Sequence, residues 1–232
     1  MIIEESAVLV TGANGGVGRQ FVSQFIERGA RKVYAGTRRE MTWDDDRVVP
    51  LLLDVTDSNS MLTAVSAAGD ISVLVNNAGV LGPGSLLTSS IEEIRATFET
   101  NLFGPLALVR AFAATLARAQ ASAVVDVHST MSWLADPGPY SASKAALWGL
   151  TNSLRLELAG QGTQMLGAHF GPTDTPMIAS FDVAKADPAD VVANILDALE
   201  AGAEDVYADD TARRVRERLA VLATGVLPTP TD

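Results

Sequence analysis

The chain has 232 residues, of which 17 are basic and 28 acidic, so its net charge is −11. This length fits one large α/β domain, and the negative charge argues against nucleic acid and anionic membranes as partners. The sequence has no cysteine, which excludes disulfides, thiolate catalysis and cysteine-bound zinc and leads us to expect a reducing, cytoplasmic location. Two histidines are too few for a usual histidine-based metal site, so we predict no metal. The acidic start and the short apolar runs predict neither a signal peptide nor a membrane span.

Short apolar segments alternate with helical patterns along the chain. The apolar segments predict strands at residues 7–11, 32–37, 48–53, 71–75, 123–128, 163–170 and 204–208. Apolar residues at three- and four-residue spacing predict helices at 17–29, 90–120, 140–160 and 188–202. This alternation predicts an α/β fold, a Rossmann-like doubly wound parallel sheet of about seven strands with helices on both faces. We expect a single domain over residues 1–232, with 226–232 as a loose tail.

Polar residues and glycines follow six successive predicted strands, at the point where each strand ends. They are Gly12, Arg38, Asp54, the sequence NNAG at 76–79, Ser129 and Gly171. In a doubly wound sheet, ligands bind at the carboxyl ends of the strands. We therefore expect these residues to line one cleft.

A strand, a glycine-rich turn and a helix start follow one another in VLVTGANGGVGRQF, residues 8–21. Gly12 lets the chain turn, while Gly16 and Gly18 let the backbone approach a pyrophosphate and let the helix pack on the strand. The free N–H groups of the helix start favour the phosphate charge. The turn therefore predicts dinucleotide binding, and an ordinary tight loop is the alternative. Because Gly15 and Gly16 are adjacent, the spacing fits both TGxxxGxG and TGxxGxxG.

Tyr140 and Lys144 lie four residues apart on a predicted helix and so share one face. A free phenol has a pKa of about 10 and is a poor base at neutral pH. A nearby ammonium group favours the phenolate, and so does a bound nicotinamide cation. The pair can therefore carry the proton that accompanies hydride transfer between a carbonyl and an alcohol. A surface tyrosine beside a solvated lysine is the alternative.

Seven motifs occur in the order found in the short-chain dehydrogenase/reductase family, and together they cover nearly the whole chain. They are TGANGGVG, DVTD (54–57), NNAG (76–79), Asn101 in a helix, Ser129 after a strand, YSASK (140–144) and GPTDTPM (171–177). The chain resembles the short single-domain oxidoreductase branch and not the longer sugar-nucleotide epimerases and dehydratases. It departs from the family pattern in its shorter segment from Ser129 to Tyr140, and in Phe170, where the family often has proline.

The resemblance implies a catalytic set of Asn101, Ser129, Tyr140 and Lys144. It implies that Tyr140 carries the proton, that Lys144 also hydrogen-bonds the nicotinamide ribose, and that Ser129 binds the substrate oxygen. Asn101 would steady a water in a proton relay to Lys144. A loop-capping role for Ser129 and a helix-kink role for Asn101 are the alternatives. We interpret His128, beside Ser129, as a spacer rather than a base.

The resemblance also implies which residues bind the dinucleotide. Besides Tyr140 and Lys144, they are Gly12, Asn14, Gly16, Val17 and Gly18 in the turn, Thr37 and Arg38 after the second strand, Asp54 and Val55 beside the adenine, Asn77, Ala78 and Gly79 along its ribose, and Gly171, Thr173 and Thr175 at the nicotinamide end.

The end of the second predicted strand favours NADP(H) over NAD(H). NAD-binding folds place an acidic residue there, which takes the ribose hydroxyls. Here Thr37 stands in that place and Arg38 follows, whose guanidinium group can bind a 2′-phosphate. Two solvated arginines that open a loop are the alternative. Many NADP-using relatives also place a basic residue in the glycine turn, where this chain has Gly15.

Together these features predict an NADP(H)-dependent oxidoreductase that interconverts a carbonyl and an alcohol on a small to medium apolar substrate. The apolar residues expected in or near the pocket are Trp133, Leu134, Trp148, Met177, Ile178 and Phe181. The alternative function is a dinucleotide-sensing or regulatory protein on the same fold, whose catalytic groups have decayed.

Two helices carry more alanine and leucine than one buried stripe needs, which predicts a homodimer or homotetramer. The residues concerned are Leu102, Leu106, Val109 and Ala113 on one helix, and Ala145, Ala146, Leu150 and Leu154 on the other. Coverage of both helices by the sheet is the alternative.

Overall fold

The computed structural model describes residues 3–221 and 227–228. Its strands are β1 (Ala7–Thr11), β2 (Lys32–Thr37), β3 (Val48–Leu52), β4 (Val73–Asn76), β5 (Ser122–Val127), β6 (Leu134–Ala135), β7 (Thr163–His169), β8 (Asp205–Tyr207) and β9 (Leu227–Pro228). All except β6 and β9 form one parallel sheet in the order β3-β2-β1-β4-β5-β7-β8. The predicted doubly wound sheet is confirmed: successive strands are added on one side from β1 to β3 and on the other side from β4 onward, so the strand order reverses between β1 and β4.

Seven α-helices lie within the described residues. They are α1 (Gly16–Glu27), α2 (Ser58–Ala67), α3 (Ile91–Phe98), α4 (Gly104–Arg118), α5 (Pro139–Ala159), α6 (Pro188–Glu200) and α7 (Asp210–Val221). Neither α2 nor α7 is among the predicted helices. A π-helical turn, Glu99–Phe103, joins α3 to α4, so the helix predicted at 90–120 is not one continuous α-helix.

Helices cover both faces of the sheet, as predicted. Helices α1 and α6 pack on one face, and α2, α4 and α5 pack on the other. Successive side chains of a strand point to opposite faces. In β5, Val125 therefore packs in the core with Phe21 of α1, while Val124 packs in the core with Phe112 of α4.

The segment Ile91–Arg118 is long and apolar enough to cross a membrane, judged by length and composition alone. Within it, Leu108, Phe112 and Leu116 are fully buried in the core on one face of the sheet. Its apolar character is therefore accounted for by packing inside this fold.

Strand β6 pairs in parallel with β9, which lies in the predicted tail. The other tail residues, 226 and 229–232, lie outside the described residues. Beside β6, Trp133 and Leu134 pack with Val215 of α7 in a small separate cluster. The cluster supports the chain segment between Ser129 and Tyr140.

Candidate active site

The glycine turn between β1 and α1 forms a cradle in which an added side chain would meet backbone atoms at Gly12 and at Gly18. Gly12 has a φ of +64°, a conformation that favours glycine, and a Cβ there would lie 3.0 Å from the Cα of Ala78. A Cβ on Gly18 would overlap the carbonyl oxygen of Gly12 and lie 2.9 Å from Asn77 Nδ2. Helix α1 begins in this turn, so its free N–H groups are available to an anion. This geometry fits a pyrophosphate.

Thr11, which the sequence analysis did not single out, joins the turn to the end of β4. Its hydroxyl donates to the carbonyl of Val75 (3.1 Å) and accepts from the backbone N–H groups of Asn77 and Ala78, both at 3.0 Å. The Asn77 side chain returns the contact by donating to the carbonyls of Thr11 (2.8 Å) and Gly12 (3.2 Å). The side chain of Asn77 therefore holds the glycine turn in shape.

The predicted adenosine end lies beyond β2 and β3. Thr37 is buried and its hydroxyl donates to the carbonyl of Arg39 (2.6 Å), while Arg38 and Arg39 are exposed. The Asp54 carboxylate accepts from the backbone N–H and the hydroxyl of Thr56, which lowers its pKa, and the nearby Arg38 charge lowers it further. A cleft of about 560 Å³ opens beside Thr37 and Arg39. Arg39 lines this cleft, whereas Arg38 does not line it and lies near Asp54.

The remaining predicted cofactor residues lie near the turn or at the facing strand ends. Val55 is buried in the core of the α2/α4/α5 face, and Asn14 is exposed. Thr175 lies against the glycine turn, since a Cβ on Gly16 would be 2.7 Å from its Cγ2. Thr173 is buried and its strand-like contact with Ala186 closes the loop that carries Thr175.

The segment around Gly171 is held in place by α7. The backbone N–H of Gly171 donates to the Asp209 carboxylate (2.7 Å), and Asp209 also accepts from the N–H of Ala212 (2.7 Å) at the start of α7. Phe170 packs against the core on the α1/α6 face. Phe170 stands where the family often has proline, and its packed ring therefore anchors the loop.

Ser129 and Tyr140 meet at the carboxyl end of β5. The Ser129 hydroxyl accepts from the backbone N–H of Met131 (3.2 Å) and is hydrogen-bonded to the Tyr140 phenol. Tyr140 stands in the first turn of α5, partly open to the cleft, but its hydroxyl lies in buried surroundings. Burial raises the pKa of the phenol, and the hydrogen bond from Ser129 opposes this rise. The expectation that Lys144 lowers this pKa is not met in this structure, where burial is the largest effect on the phenol.

Lys144 shares a helix face with Tyr140, and its Nζ lies 6.0 Å from the centre of the tyrosine ring. The ammonium group is buried and donates to the carbonyl of Val127 (2.7 Å) on β5. Burial lowers the pKa of Lys144 to about 8, while the negative charge of Asp126 works in the opposite direction. Lys144 is thus a buried amine next to the predicted proton carrier.

Asn101 stands in the π-helical turn and ties three segments together. Its Oδ1 accepts from the N–H of Val80 (2.9 Å), and its Nδ2 donates to the carbonyl of Val80 (2.9 Å) and to the Ser143 hydroxyl (3.0 Å). Both N–H groups of the amide are therefore used by protein partners. The side chain fixes the loop after β4 against α5, next to Lys144.

The short segment before Tyr140 packs directly on the loop that follows β4. Gly138 has a φ of +97°, and the carbonyl oxygen of Pro83 occupies the space that its Cβ would need. The short connection from Ser129 is thus accommodated by close contact between two loops, and only glycine fits at this position.

Two residues expected in the pocket have another place in the structure. The Trp133 ring stacks on His169 with centroids 4.3 Å apart and packs with Leu134 against α7. Both residues are buried, because the aromatic cluster between α5 and α7 covers them. By contrast, Met177 and Phe181 are about half exposed, at 45% and 50%.

A buried polar network that the sequence did not predict lies behind the site. Asp126 accepts hydrogen bonds from Asn76 Nδ2 (2.8 Å) and the Thr151 hydroxyl (2.7 Å), and Thr151 also contacts His128 Nε2 (3.1 Å). The His128 ring stacks on that of His169, with centroids 4.6 Å apart. One feature of the sequence could have indicated this network, namely the acidic residue Asp126 inside the otherwise apolar strand AVVDV.

The fold and the site define a dinucleotide-dependent oxidoreductase: a phosphate cradle, a buried phenol and an amine meet at the strand ends of a doubly wound sheet. The chain belongs to the short-chain dehydrogenase family, whose model matches residues 6–186. The predicted family, fold and enzyme class, an oxidoreductase acting on CH–OH with NAD(P), are confirmed.

Several characterised or solved proteins are similar to the chain. It is 34% identical over 191 residues to the short chain dehydrogenase pigC of Monascus ruber, over 72% of this chain and 63% of that one. It is 33% identical over 195 residues to the 1-deoxy-11-beta-hydroxypentalenate dehydrogenase of Streptomyces exfoliatus, over 77% and 71%. A crystal structure of a short chain dehydrogenase from Burkholderia cenocepacia J2315 in complex with NADP has 36% identity and a TM-score of 0.88, over 95% of this chain and 94% of that one. The chain therefore spans less than two thirds of the M. ruber protein and nearly all of the B. cenocepacia protein.

Proposed function

We propose that the protein is an NADP(H)-dependent oxidoreductase that interconverts a carbonyl and an alcohol on a small to medium apolar substrate. The observation that carries this proposal is the contact of Ser129 with the Tyr140 phenol, with buried Lys144 on the same helix face. Bound NADP(H) supplies the hydride in reduction and accepts it in oxidation. Ser129 hydrogen-bonds the substrate oxygen, and Tyr140 donates a proton to that oxygen in reduction or takes it in oxidation. The charge of Lys144 favours the phenolate that remains.

The preference for NADP(H) is supported by the residues after β2. Thr37 offers no carboxylate that would repel a 2′-phosphate, and Arg38 and Arg39 are exposed beside it. The similar B. cenocepacia protein was crystallised with NADP. A guanidinium group binds a phosphate through two parallel hydrogen bonds and can stack on an adenine. Arg38 is the residue we expect to make this contact.

The apolar substrate class is supported by the segment after Thr175. Met177 and Phe181 present half-exposed apolar side chains there, and Val183 is also exposed. Such a segment can cover an apolar substrate and exclude water from the reacting atoms. Trp133 and Leu134 do not take part, because they are packed against α7.

The role of Tyr140 is tested by Tyr140→Phe, with Tyr34→Phe as the matched control. Tyr34 loses the same hydroxyl, but its phenol donates to Asp70 at the opposite end of the sheet. We expect Tyr140→Phe to lower kcat/KM by about 10²- to 10⁴-fold with a panel of ketones, aldehydes and quinones, while NADPH binding is kept. Activity within a few-fold of the wild type would contradict the assignment.

Cofactor preference is tested by kcat/KM with both dinucleotides for the wild type, Arg38→Asp and Arg39→Asp. We expect the wild type to favour NADPH and Arg38→Asp to favour NADH, since a carboxylate binds ribose hydroxyls and repels a 2′-phosphate. A wild type that prefers NADH would refute the preference. If only Arg39→Asp reversed the cofactor preference, Arg39 and not Arg38 would be the residue that contacts the 2′-phosphate.

A dinucleotide sensor on the same fold is the second candidate function. Burial raises the pKa of the Tyr140 phenol, which disfavours the phenolate that alcohol oxidation needs and leaves the protonated phenol that reduction needs. Tight NADPH binding together with no turnover across the substrate panel would support the sensor and contradict the enzyme.

We also propose a homodimer or homotetramer. Val109 and Leu154 do not support it, because they belong to the core of the subunit. The support comes from apolar side chains left exposed beside α4 and on α5, namely Phe103, Trp148 and Leu156, the last of which is 80% exposed. Light scattering at micromolar concentration tests this, and a strict monomer would contradict it. The cytoplasmic location stays a prediction.

A further inference from the structure

Asp126 is an acidic residue in the middle of an apolar strand, and it is fully buried. It lies on the same face of β5 as Val124 and His128, the face covered by α5. Its carboxylate accepts from Asn76 Nδ2 and from the Thr151 hydroxyl. Burying a charge costs several kcal/mol unless it is compensated, so a carboxylate here requires an explanation.

Lys144, one of the predicted catalytic residues, also reaches β5 from α5. Its Nζ donates to the carbonyl of Val127, the residue that follows Asp126. Thr151, which holds the carboxylate, lies two helical turns beyond Lys144 on the same face of α5. The amine and the carboxylate therefore share one water-excluded layer between β5 and α5, behind the Tyr140 phenol.

We propose that Asp126 is a positioning residue for proton transfer: its buried negative charge keeps Lys144 protonated, and through Lys144 it favours the reactive phenolate of Tyr140. The proposal rests on the function proposed above. Burial by itself drives an amine toward its neutral form, which would remove the positive charge beside the phenol. The carboxylate opposes this, because its negative charge favours the protonated amine.

Other titratable groups lie around this layer, but none of those described below supplies the negative charge that we assign to Asp126. His128 on β5 and His169 on β7 have pKa values lowered by burial, so they are neutral at neutral pH. Arg155 on α5 donates to the carbonyl of Glu204 (2.7 Å) and lies 3.5 Å from the Asp205 carboxylate on β8, which compensates its charge. The pKa of Asp126 is raised by burial, while its two hydrogen bonds and the charges of Lys144 and Arg155 oppose that rise.

The test compares Asp126→Asn with the wild type through the pH dependence of kcat/KM for alcohol oxidation. Asn has nearly the same shape: its Oδ1 can still accept from Asn76 and its Nδ2 can donate to the Thr151 oxygen, so the main change is the loss of the charge. Losing the Lys144 proton makes the Tyr140 phenolate less favourable, and we expect the acid limb of the profile to move upward by about one pH unit. If Asp126 acted directly on Tyr140 and not through Lys144, removing its negative charge would favour the phenolate and move the acid limb downward. A downward shift or no shift therefore overturns the proposal.

Thr151→Val is the matched control, because it removes a hydrogen bond to the carboxylate and leaves the charge. We expect its acid limb to stay within a few tenths of a pH unit of the wild type. An equal upward shift in both variants would mean that Asp126 acts only through packing, which also overturns the proposal.

A second measurement needs neither turnover nor a folded Asp126→Asn variant. The Asp126 carboxyl carbon and the Lys144 amine are titrated by NMR in the wild-type protein. We expect an ionised carboxylate and a charged amine at pH 7, and a carboxyl group still protonated at pH 7 would overturn the proposal. If the wild type turns over no substrate but shows an ionised Asp126 carboxylate and a charged Lys144 amine, the proposed function fails while the link between Asp126 and Lys144 stands.

Discussion

Replacing Gly18 by alanine tests whether the glycine turn is the dinucleotide cradle. A Cβ at this position would overlap the carbonyl oxygen of Gly12 and lie 2.9 Å from its carbonyl carbon, when ordinary contact begins at 3.4 Å. The neighbouring atoms are backbone, so the turn itself has to move by several tenths of an ångström. A displacement of this size in a site that works through close approach weakens binding by about 10- to 100-fold, or about 1.4–2.7 kcal/mol.

Gly15→Ala is the control for this experiment, since it adds the same methyl group to the same turn. Its Cβ would meet only the Gly12 carbonyl oxygen, at 3.6 Å, and its φ of −82° suits any residue. Quenching of protein fluorescence by NADPH gives Kd for both variants, and thermal melting shows whether both are folded. We expect Gly15→Ala to bind within a few-fold of the wild type. Equal affinity of Gly18→Ala and Gly15→Ala would refute the cradle.

Three further predictions concern the glycine turn, the packing of β7 and the buried histidines. The space around Gly15 can hold a side chain, and a guanidinium group there can bind the 2′-phosphate of NADPH. We therefore expect Gly15→Arg to raise the ratio of kcat/KM for NADPH over NADH by about tenfold, and an unchanged ratio would contradict this expectation. Gly167→Ala would place a Cβ 2.6 Å from the Asp205 carboxylate and 3.2 Å from the His128 ring, so urea unfolding should show a loss of about 1–3 kcal/mol; a neutral change would contradict the tight packing. Burial lowers the pKa of His128 and His169, so the unfolded chain binds more protons and stability falls as the pH drops below about 6.5; stability that is constant from pH 7.5 to 5.5 would be the contrary result.

The sheet could be predicted from the sequence because its strands are continuous apolar runs. Strand β5, for example, is buried on both faces, so its run of apolar residues predicts a strand without any knowledge of its neighbours in the fold. Helix α2 was missed because it buries only Ala64 and so carries little periodic signal. Helix α7 was missed because its sequence is rich in arginine. Its buried residue Val215 packs against Trp133, which is far away in the sequence.

The motifs located the candidate site, but its interior depended on contacts between distant residues. The π-helical turn at Asn101 is stabilised by Val80 and Ser143, which are 21 and 42 positions away. The partners of Asp126 are 50 and 25 positions away. Spacing along the chain cannot show such contacts, because they exist only once the strands have paired.

The hydrogen bonds that shape the glycine turn have a consequence for the order of folding. Thr11 meets Val75, Asn77 and Ala78, which lie 64 to 67 positions further along the chain. Closing so long a loop costs conformational entropy, which is recovered only when β1 and β4 lie side by side. The phosphate-binding turn therefore takes shape late, after the central strands have assembled, and a dinucleotide can stabilise only the finished protein. Added NADPH is accordingly expected to slow unfolding and to leave the refolding rate unchanged.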